Sequence, residues 1–457
     1  MSTRSTTVSS SLDAPVSEQC PWTYQPSEDM ARIESFEGYC AGGYYPVRIG
    51  DQLCSSRYRI VHKLGHGSYS TIWLARDEHL AKYVAIKIAI SQPERVEGTI
   101  IRKMWEEEGC TVRSSTGVAL VPEILDEFEA EGTEIQGVRG LHHCLVTTPA
   151  RMSISDARDA SSMGMFQPMV ARAIAAQLIQ AVASVHAQGV VHAGKYLKER
   201  TKNLHEKNIL FCLPDTIDDL TPDELCQKYG HPRPIEVKRM DKLPLDQWVP
   251  PYGVKPIRFR VAADKISLAE SRVFLNDFGE SFQPAIDSRL STHIPYELRS
   301  PEMFMEPEAQ VSFPADVWSL ACVIFAVMGR GYPFAAVFPT KDEILCQHVD
   351  ALGRLPDEWW TTWAARDQYY DDQGRSLDGS QGLSLKERLE RFIQKQRRRF
   401  GMAEMEDEEK QAFLVLMEKM LKFRPEDRLS AQQALESTWM QNWAMPAFKL
   451  MEDLLST

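Results

Sequence analysis

Leu64, Gly65, His66, Gly67, Ser68, Tyr69, Ser70, Thr71, Ile72 and Trp73 make a glycine-containing turn between stretches of alternating apolar and polar residues. Glycine lets a backbone approach a ligand closely enough for its N–H groups to cover phosphate oxygens. Two glycines alone would be an ordinary hairpin turn. Further on, Val84, Ala85, Ile86 and Lys87 fall on a strand, where an ammonium can reach the α and β phosphates of a nucleotide. By itself Lys87 would read as a solvated edge-strand lysine. Asn276, Asp277, Phe278, Gly279 and Glu280 then place a carboxylate at the end of a β-rich run, a position suited to a Mg²⁺ that is also bound to phosphates. Asn208, in LHEKNILF, offers a second metal ligand. Together these groups could hold a metal–nucleotide complex.

A phosphoryl transfer to a hydroxyl also needs a proton acceptor, and there the sequence departs from the pattern HxDxxxxN. His192 and Ala193 are followed by Gly194 to Lys202, and only then by Asn203, Leu204, His205, Glu206, Lys207 and Asn208. With the extra segment looped out, Asn203 stands at the missing aspartate's position, and an amide cannot take a proton. Ser300, Pro301 and Glu302 come shortly after the DFG triplet, with Arg428 as a candidate partner for Glu302, and Asp316, Val317 and Trp318 open a long apolar helix. The order and spacing of these motifs, from Leu64 to Arg428, resemble the eukaryotic protein kinase family. The stretches GYYPVRIGDQLCSSRYRIVHKLGHGSYSTIWLARD, YGHPRPIEVKRMDKLPLDQWVPPY, NDFGESF and ADVWSLACVIFAVMG, the last followed by LCQHVDALGRLPDEWW, are similar to the SR-protein kinases in their filamentous-fungal form.

That resemblance implies an α+β, two-lobed protein kinase fold, with a small antiparallel β lobe carrying one main helix and a larger helical lobe. It implies ATP with Mg²⁺ and phosphoryl transfer to serine in basic, arginine/serine-rich proteins. Leu64, Gly65, His66, Gly67, Ser68, Ser70, Ile72, Ala85, Lys87 and Thr148 would contact nucleotide, Asn208 and Asp277 would hold metal, and Lys87, Asn208 and Asp277 would form the catalytic set. A helix should supply a glutamate to Lys87, and RVEGTIIRKMWEEEG offers Glu97, Glu106, Glu107 and Glu108 without deciding among them. Ala193 stands where many kinases have an arginine that would pair with a phosphorylated loop. The segment from Ser281 to Arg299 is therefore expected to order itself without phosphate on Ser288, Ser291 or Thr292.

Three readings of Gly194 to Asn203 follow. It is a true insert in a nucleotide-binding pseudokinase scaffold, or translated noncoding sequence from a misread gene whose loop is HADLHEKN, or a loop with a displaced base such as Glu206 or Glu199. The inserted Lys195, Lys198, Arg200 and Lys202 would crowd a phosphate cleft.

The elements that must position these residues can be read from periodicity. Tyr58 to Ile90 reads as three antiparallel strands, with two more at Glu123 to Glu129 and His143 to Thr147. Pro168 opens a helix in which Val170, Ile174, Leu178, Val182 and Val185 recur at helical spacing, and Gly189 ends it. Ile209 to Leu213 and Arg272 to Asn276 read as strands. Between them, Asp215 to Ile257 carries seven prolines and no sustained period, an excursion of the functional or disordered kind. The expected bounds are a disordered tail at 1–37, an extended lead-in at 38–57, the small lobe at 58–150, the large lobe at 151–445 with inserts at 194–203 and 214–262, and a tail at 446–457.

Composition narrows the class. With 457 residues, 43% hydrophobic and 25% charged, a large core is affordable. The apolar run Val317 to Met328 is too short to span a bilayer, and the Ser/Thr-rich start lacks an apolar signal region. Nine cysteines without a CxxC pair indicate neither a disulfide framework nor a zinc site, so the chain reads as reduced, in cytoplasm or nucleus. A net charge of −12 disfavours direct nucleic-acid binding and suits a basic protein partner; no membrane contact and a monomer are expected. Lys395, Arg397, Arg398 and Arg399 read as a solvated helix face, Trp359, Trp360 and Trp363 as packing of the large lobe, and GMAEMEDEEKQAF as an acidic helix start.

Overall fold

A computed structural model describes residues 23–25, 33–91, 96–106, 112–113, 118–135, 138–193, 206–289, 294–336, 339–379 and 382–455. The alternating residues after Asp51 form strands β1 (Gln52–Leu53), β2 (Tyr58–His66), β3 (Ser70–Asp77) and β4 (Lys82–Ala89), followed by helix α1 (Val96–Glu106) and strands β5 (Ile124–Ile135) and β6 (Val138–Thr147). The strands make one six-stranded antiparallel sheet in the order β1-β2-β3-β4-β6-β5. Period-2 alternation puts Val84, Ile86 and Ile88 of β4 on one buried face with Tyr58, Ile60 and Trp73. The opposite face carries Tyr83, Ala85 and Lys87. Helix α1 is tied to the sheet by an Arg102–Glu127 ion pair and by the Trp105 indole, which donates to the Pro122 carbonyl at 2.8 Å.

Pro149 ends the sheet, and the larger lobe begins with β7 (Ala150–Ser153), α2 (Ile154–Asp159) and α3 (Pro168–Ala187). Ser153 caps α2 through a capping box with Asp156. Proline at the start of α3 and Gly189 at φ +68° after it are the expected helix signals. By length and composition α3 is apolar enough to cross a membrane, yet 78% of that stretch is buried against other helices, as in a core helix. Next come β8 (Ile209–Cys212), α4 (Pro222–Tyr229), the hairpin strands β9 (Pro234–Glu236) and β10 (Tyr252–Val254), and β11 (Val273–Leu275). Strands β11, β8 and β7 pair in that order. The remaining helices are α5 (Glu302–Met305), α6 (Phe313–Met328), α7 (Lys341–Leu352), α8 (Asp357–Thr362), α9 (Leu385–Leu389), α10 (Lys395–Arg399), α11 (Asp407–Met420), α12 (Ala431–Leu435) and α13 (Met445–Leu455). Helix α6 is buried at every residue from Ala315 to Met328, so it is the axis on which α3 and α11 pack. The architecture is the α+β, two-lobed one.

Four expectations change on inspection of packing. Part of the supposed tail at 1–37 is structured: Tyr24, Ile33 and Phe36 are buried with Tyr39, Val237 and Val249. The proline-rich excursion does not hang free. Leu213, Ile217, Leu225, Ile257 and Phe259 cover Val61, Leu74 and Tyr83 of the small lobe, and the Tyr83 N–H donates to the Asp218 carboxylate at 2.7 Å. The end at 446–457 begins as α13, with Ala447, Phe448 and Met451 buried in the large core. Arg397 is not solvated; burial lowers its pKa to about 10, and its guanidinium donates to the Met328 carbonyl at 2.8 Å. The tryptophans behave as expected, burying Trp359, Trp360 and Trp363 with Ile344 and Leu355, and α11 starts in the acidic stretch.

His348 of α7 is fully buried among the Trp318, Phe334 and Phe304 rings, and neither imidazole nitrogen has a hydrogen-bond partner. Burial first, then the Arg388 and Arg428 charges, push its pKa down to about 3. The unfolded chain takes up a proton near pH 6.5 and the folded chain does not, so this site's stability is present above that pH and is lost as pH falls from about 6.5 toward about 3. The expected slope is about 1.4 kcal/mol per pH unit. Denaturant titrations should show that His348→Leu loses about 2 kcal/mol less than the parent chain between pH 7 and pH 5.

Candidate active site

The site is built on a carboxylate at the start of the core helix. Asp316 accepts the backbone N–H of His192 at 2.7 Å and of Ala193 at 3.2 Å, and its Oδ2 lies 3.1 Å from His186 Nε2. Burial alone would raise its pKa; the His186 and His192 donors overcome burial and hold it below the ordinary carboxylate range. Ala193 sits at φ +51°, a left-handed conformation that a non-glycine residue keeps only where surrounding bonds fix it. His192 lies edge-on to Phe278, with ring centroids 5.0 Å apart, and its Nε2 is 3.0 Å from the Asn276 carbonyl. The Asn276 N–H in turn donates to the Asn208 carbonyl at 2.8 Å. Because Leu275 pairs with Ile209, Asn208 and Asp277 stand at the same end of the β8–β11 ladder. Asp277 is at φ +66°, which turns it out of the strand direction.

Lys87 reaches this end from the small lobe. Its Nζ lies 2.5 Å from Glu97 Oε2 and 3.7 Å from Asp277 Oδ1. Burial would lower the ammonium's pKa, but the two carboxylates outweigh it and raise the pKa above the ordinary lysine value, so Lys87 is charged at neutral pH. The choice left open in the sequence thus falls on Glu97, in the first turn of α1. Glu106 is at the other end of the helix, paired with Arg102, and Glu107 and Glu108 lie outside the described residues. A Cβ added at Gly279 would lie 3.7 Å from Asp277 Oδ1 and 3.9 Å from Glu97 Oε2; the bare backbone leaves an open shelf between the two carboxylates. One cation, two carboxylates, a nearby amide and that shelf fit an anionic group carrying a divalent metal.

The glycine-containing hairpin lies in register with Lys87. Gly65 pairs with Ile72, and Ile72 pairs with Lys87, so Ile72 and Lys87 share a face. Ala85, two residues before Lys87, is on that face too. Leu64 falls in a bulge between Lys63 and Gly65, and the turn His66, Gly67, Ser68, Tyr69 closes with the Gly67 N–H on the Ser70 carbonyl at 2.8 Å. Ser68 is exposed and Ser70 is buried.

Two expected residues are elsewhere. The exposed Thr148, one residue past the end of β6, lines a cavity of about 340 Å³ with Arg113, Glu123, Arg272 and Glu452, a lining that holds none of the Lys87 group. Glu206 is not a displaced base: it is buried in an ion pair with Arg158 of α2, and burial raises its pKa against that pairing. Glu199 and Asn203 lie outside the described residues. Arg428 does pair with Glu302, through two bonds of 3.0 Å, and also donates to the Lys422 and Phe423 carbonyls. In the segment after Asp277, Arg289 donates to the Glu280 carbonyl at 2.7 Å and lies over the Phe282 ring, and Phe282 and Val191 exchange backbone bonds of 2.9 and 3.1 Å. Ser291 and Thr292 lie outside the described residues. Asp316, His192 and Arg289 carry no local sequence signal for these contacts; an acidic residue opening a wholly apolar helix, a poor place for a charge unless it is bonded, is the one hint the sequence offers.

Residues 266–440 match the family model for the protein kinase domain. A serine/threonine protein kinase of Aspergillus fumigatus is 23% identical over 416 residues, covering 89% of this chain and 90% of the relative. A serine/threonine-protein kinase SRPK of Physarum polycephalum is 26% identical over 436 residues, covering 89% and 91%. SRSF protein kinase 3 of Mus musculus is 29% identical over 196 residues, 41% of this chain and 31% of the relative.

Asp316→Ala would leave two buried N–H groups without an acceptor, and each such orphan costs about 1 to 3 kcal/mol. Chemical denaturation should therefore show a loss of about 2 to 6 kcal/mol, whereas Asp316→Asn, which keeps one acceptor oxygen, should lose less.

Proposed function

We propose that this chain, a protein kinase by fold, family match and relatives, transfers the γ-phosphoryl of ATP to serine or threonine hydroxyls, with serine in basic, arginine/serine-rich proteins as the preferred target. The observation that carries this reading is the Lys87 ammonium held between Glu97 and Asp277. ATP with Mg²⁺, when bound, supplies the phosphoryl group and the charge that neutralises it. Lys87 would grip the α and β phosphates, and Asp277 and Asn208 would hold the metal, with phosphate oxygens and waters completing its shell. Leu64, Ile72 and Ala85 would line the adenine side, while the backbone of Gly65 to Ser70 covers the phosphates. Thr148 would contribute through its backbone rather than its side chain. The work of these residues is positioning and charge stabilisation, which accounts for most of phosphoryl-transfer catalysis.

The substrate class rests on the relatives named SRPK and SRSF protein kinase and on the net charge of −12, which suits a basic tail. We place the chain as a monomer in cytoplasm or nucleus, acting on protein without direct nucleic-acid or membrane contact. In domain terms the small lobe spans 58–150 and the large lobe 151–445, the lead-in at 38–57 and the 214–262 insert serving the small lobe. A second reading has its own observation: the printed sequence has Asn203, not a carboxylate, at the base position, which favours a nucleotide-binding pseudokinase scaffold.

Two measurements separate the readings. If the segment is translated noncoding sequence, the transcript will read His192, Ala193, Asp, Leu204, and a chain lacking Gly194 to Lys202 with Asn203→Asp should phosphorylate an arginine/serine peptide on the order of 10² to 10⁴ times faster than the printed chain. Thermal stabilisation by ATP and Mg²⁺ in both chains with transfer in neither would establish the scaffold. Lys87→Met and Asp277→Ala should abolish transfer wherever it is seen.

Arg289 anchors the segment that needs no phosphate in this reading. Arg289→Ala should cut peptide phosphorylation at least about tenfold, since an off-position loop loses alignment, without altering nucleotide binding. Activity that depends on phosphate at Ser288 would contradict self-ordering.

A further inference from the structure

The hairpin that carries Gly65 to Ser70 is held from outside the small-lobe sheet. The Tyr44 phenol donates to the Gly67 carbonyl at 2.7 Å, at the tip of the turn. The ring is seated by Gly38, where an added Cβ would lie 2.4 Å from Tyr44 Cε2, and by the Tyr39 ring, edge-on at 5.5 Å. The Tyr44 N–H donates to the Gly38 carbonyl at 2.8 Å. At the root of the same hairpin, Lys63 of β2 has no exposed side-chain surface and forms an ion pair with Glu34, whose other oxygen accepts the Tyr39 phenol at 2.6 Å. Lys63 also lies over the Trp73 ring at 5.1 Å. Residues 34 to 44 therefore grip both the base and the tip of the phosphate-facing turn. Within the sheet the turn is closed by the Gly67 N–H on the Ser70 carbonyl and by the Ile90 N–H on the Tyr69 carbonyl at 2.9 Å; the Tyr44 bond adds a tie from outside the sheet.

We propose that Tyr44 is a positioning residue for the Gly65–Ser70 hairpin, fixing the turn in the closed form through the Gly67 carbonyl, with the Glu34–Lys63 pair as its fixed base. Tyr44 does not touch the reacting atoms; it acts through the backbone of Gly67, whose neighbouring N–H groups face the phosphates. The inference rests on the kinase reading for its functional consequence, but not for its mechanical part. A buried ion pair is a poor source of net stability and a good way to fix a register. Its location at the root of a turn that would cover a ligand is where fixed register has a use.

Full-length Tyr44→Phe removes one hydroxyl and leaves the ring, so thermal unfolding should stay within about one degree of the parent chain, and hydrogen exchange of the Leu64–Ile72 amides should accelerate. The affinity for a fluorescent ADP analogue with Mg²⁺ should fall about three- to tenfold, the equivalent of one hydrogen bond, and KM for ATP should rise with kcat little changed. Gly38→Ala, which displaces the ring, should reproduce the exchange and affinity changes. Unchanged exchange in both variants would overturn the clamp, and faster exchange with unchanged nucleotide affinity would overturn the positioning role. Faster exchange in the two variants, with a parent chain that binds no nucleotide, would uphold the clamp while overturning the kinase reading.

Discussion

The Asp316 carboxylate is the point on which the site hangs. A buried charge in an apolar helix is unfavourable unless donors surround it, and the donors here are the N–H groups of His192 and Ala193 and the His186 ring. The carboxylate thus ties the buried helix α6 to the backbone of His192 and Ala193. From His192 the contacts run on to Asn276 and Phe278, and from Asn276 to Asn208. Together with the β8–β11 ladder, this chain of contacts places Asn208 and Asp277 opposite Lys87.

The small lobe meets that chain through a charge as well as through packing, since Ile101 and Met104 of α1 and Leu145 of β6 share an apolar cluster with Leu275 and Phe278. Lys87 answers to Glu97 on α1 and to Asp277 across the cleft, so its placement depends on α1 staying against the sheet. The Arg102–Glu127 pair and the Trp105 bond to Pro122 do that at the far end of the helix. The insert between β8 and β11 adds a second tie: it leaves the large lobe, covers Val61, Leu74 and Tyr83 on the face that carries Lys87, and returns. Lobe opening is therefore opposed at both ends of that sheet face.

What could be read from the sequence was what local pattern encodes. The strands around Gly65, the Lys87 strand, α3 from Pro168 to Gly189 and α6 all follow from period and punctuation, and the DFG and LHEKN runs mark strand ends. Glu97 was undecided because helical register alone cannot say which turn faces Lys87. The insert, the residues from Tyr24 to Phe36 and α13 look loose in the sequence because their apolar partners lie far away along the chain: Phe36 meets Val249, and Met451 meets α3. Arg397 misled for the same reason, since its acceptor, the Met328 carbonyl, belongs to another helix. Pairing across long separations is invisible to composition and period.

The missing carboxylate is separable from everything else in the site. Ala193 and Glu206, the described residues that flank 194–205, are fixed independently: the first by Asp316, the second by Arg158. The closure entropy of a loop grows only with the logarithm of its length, about 0.6 kcal/mol for each doubling, so extra residues between two fixed ends disturb the anchors little. In the proposed reading a carboxylate at position 203 would add a proton acceptor to a frame in which Lys87, Asn208 and Asp277 are already held by their own contacts. In the proposed reading nucleotide binding and turnover are for that reason separable: the Lys87, Asn208 and Asp277 arrangement would serve both, and position 203 would bear on turnover alone.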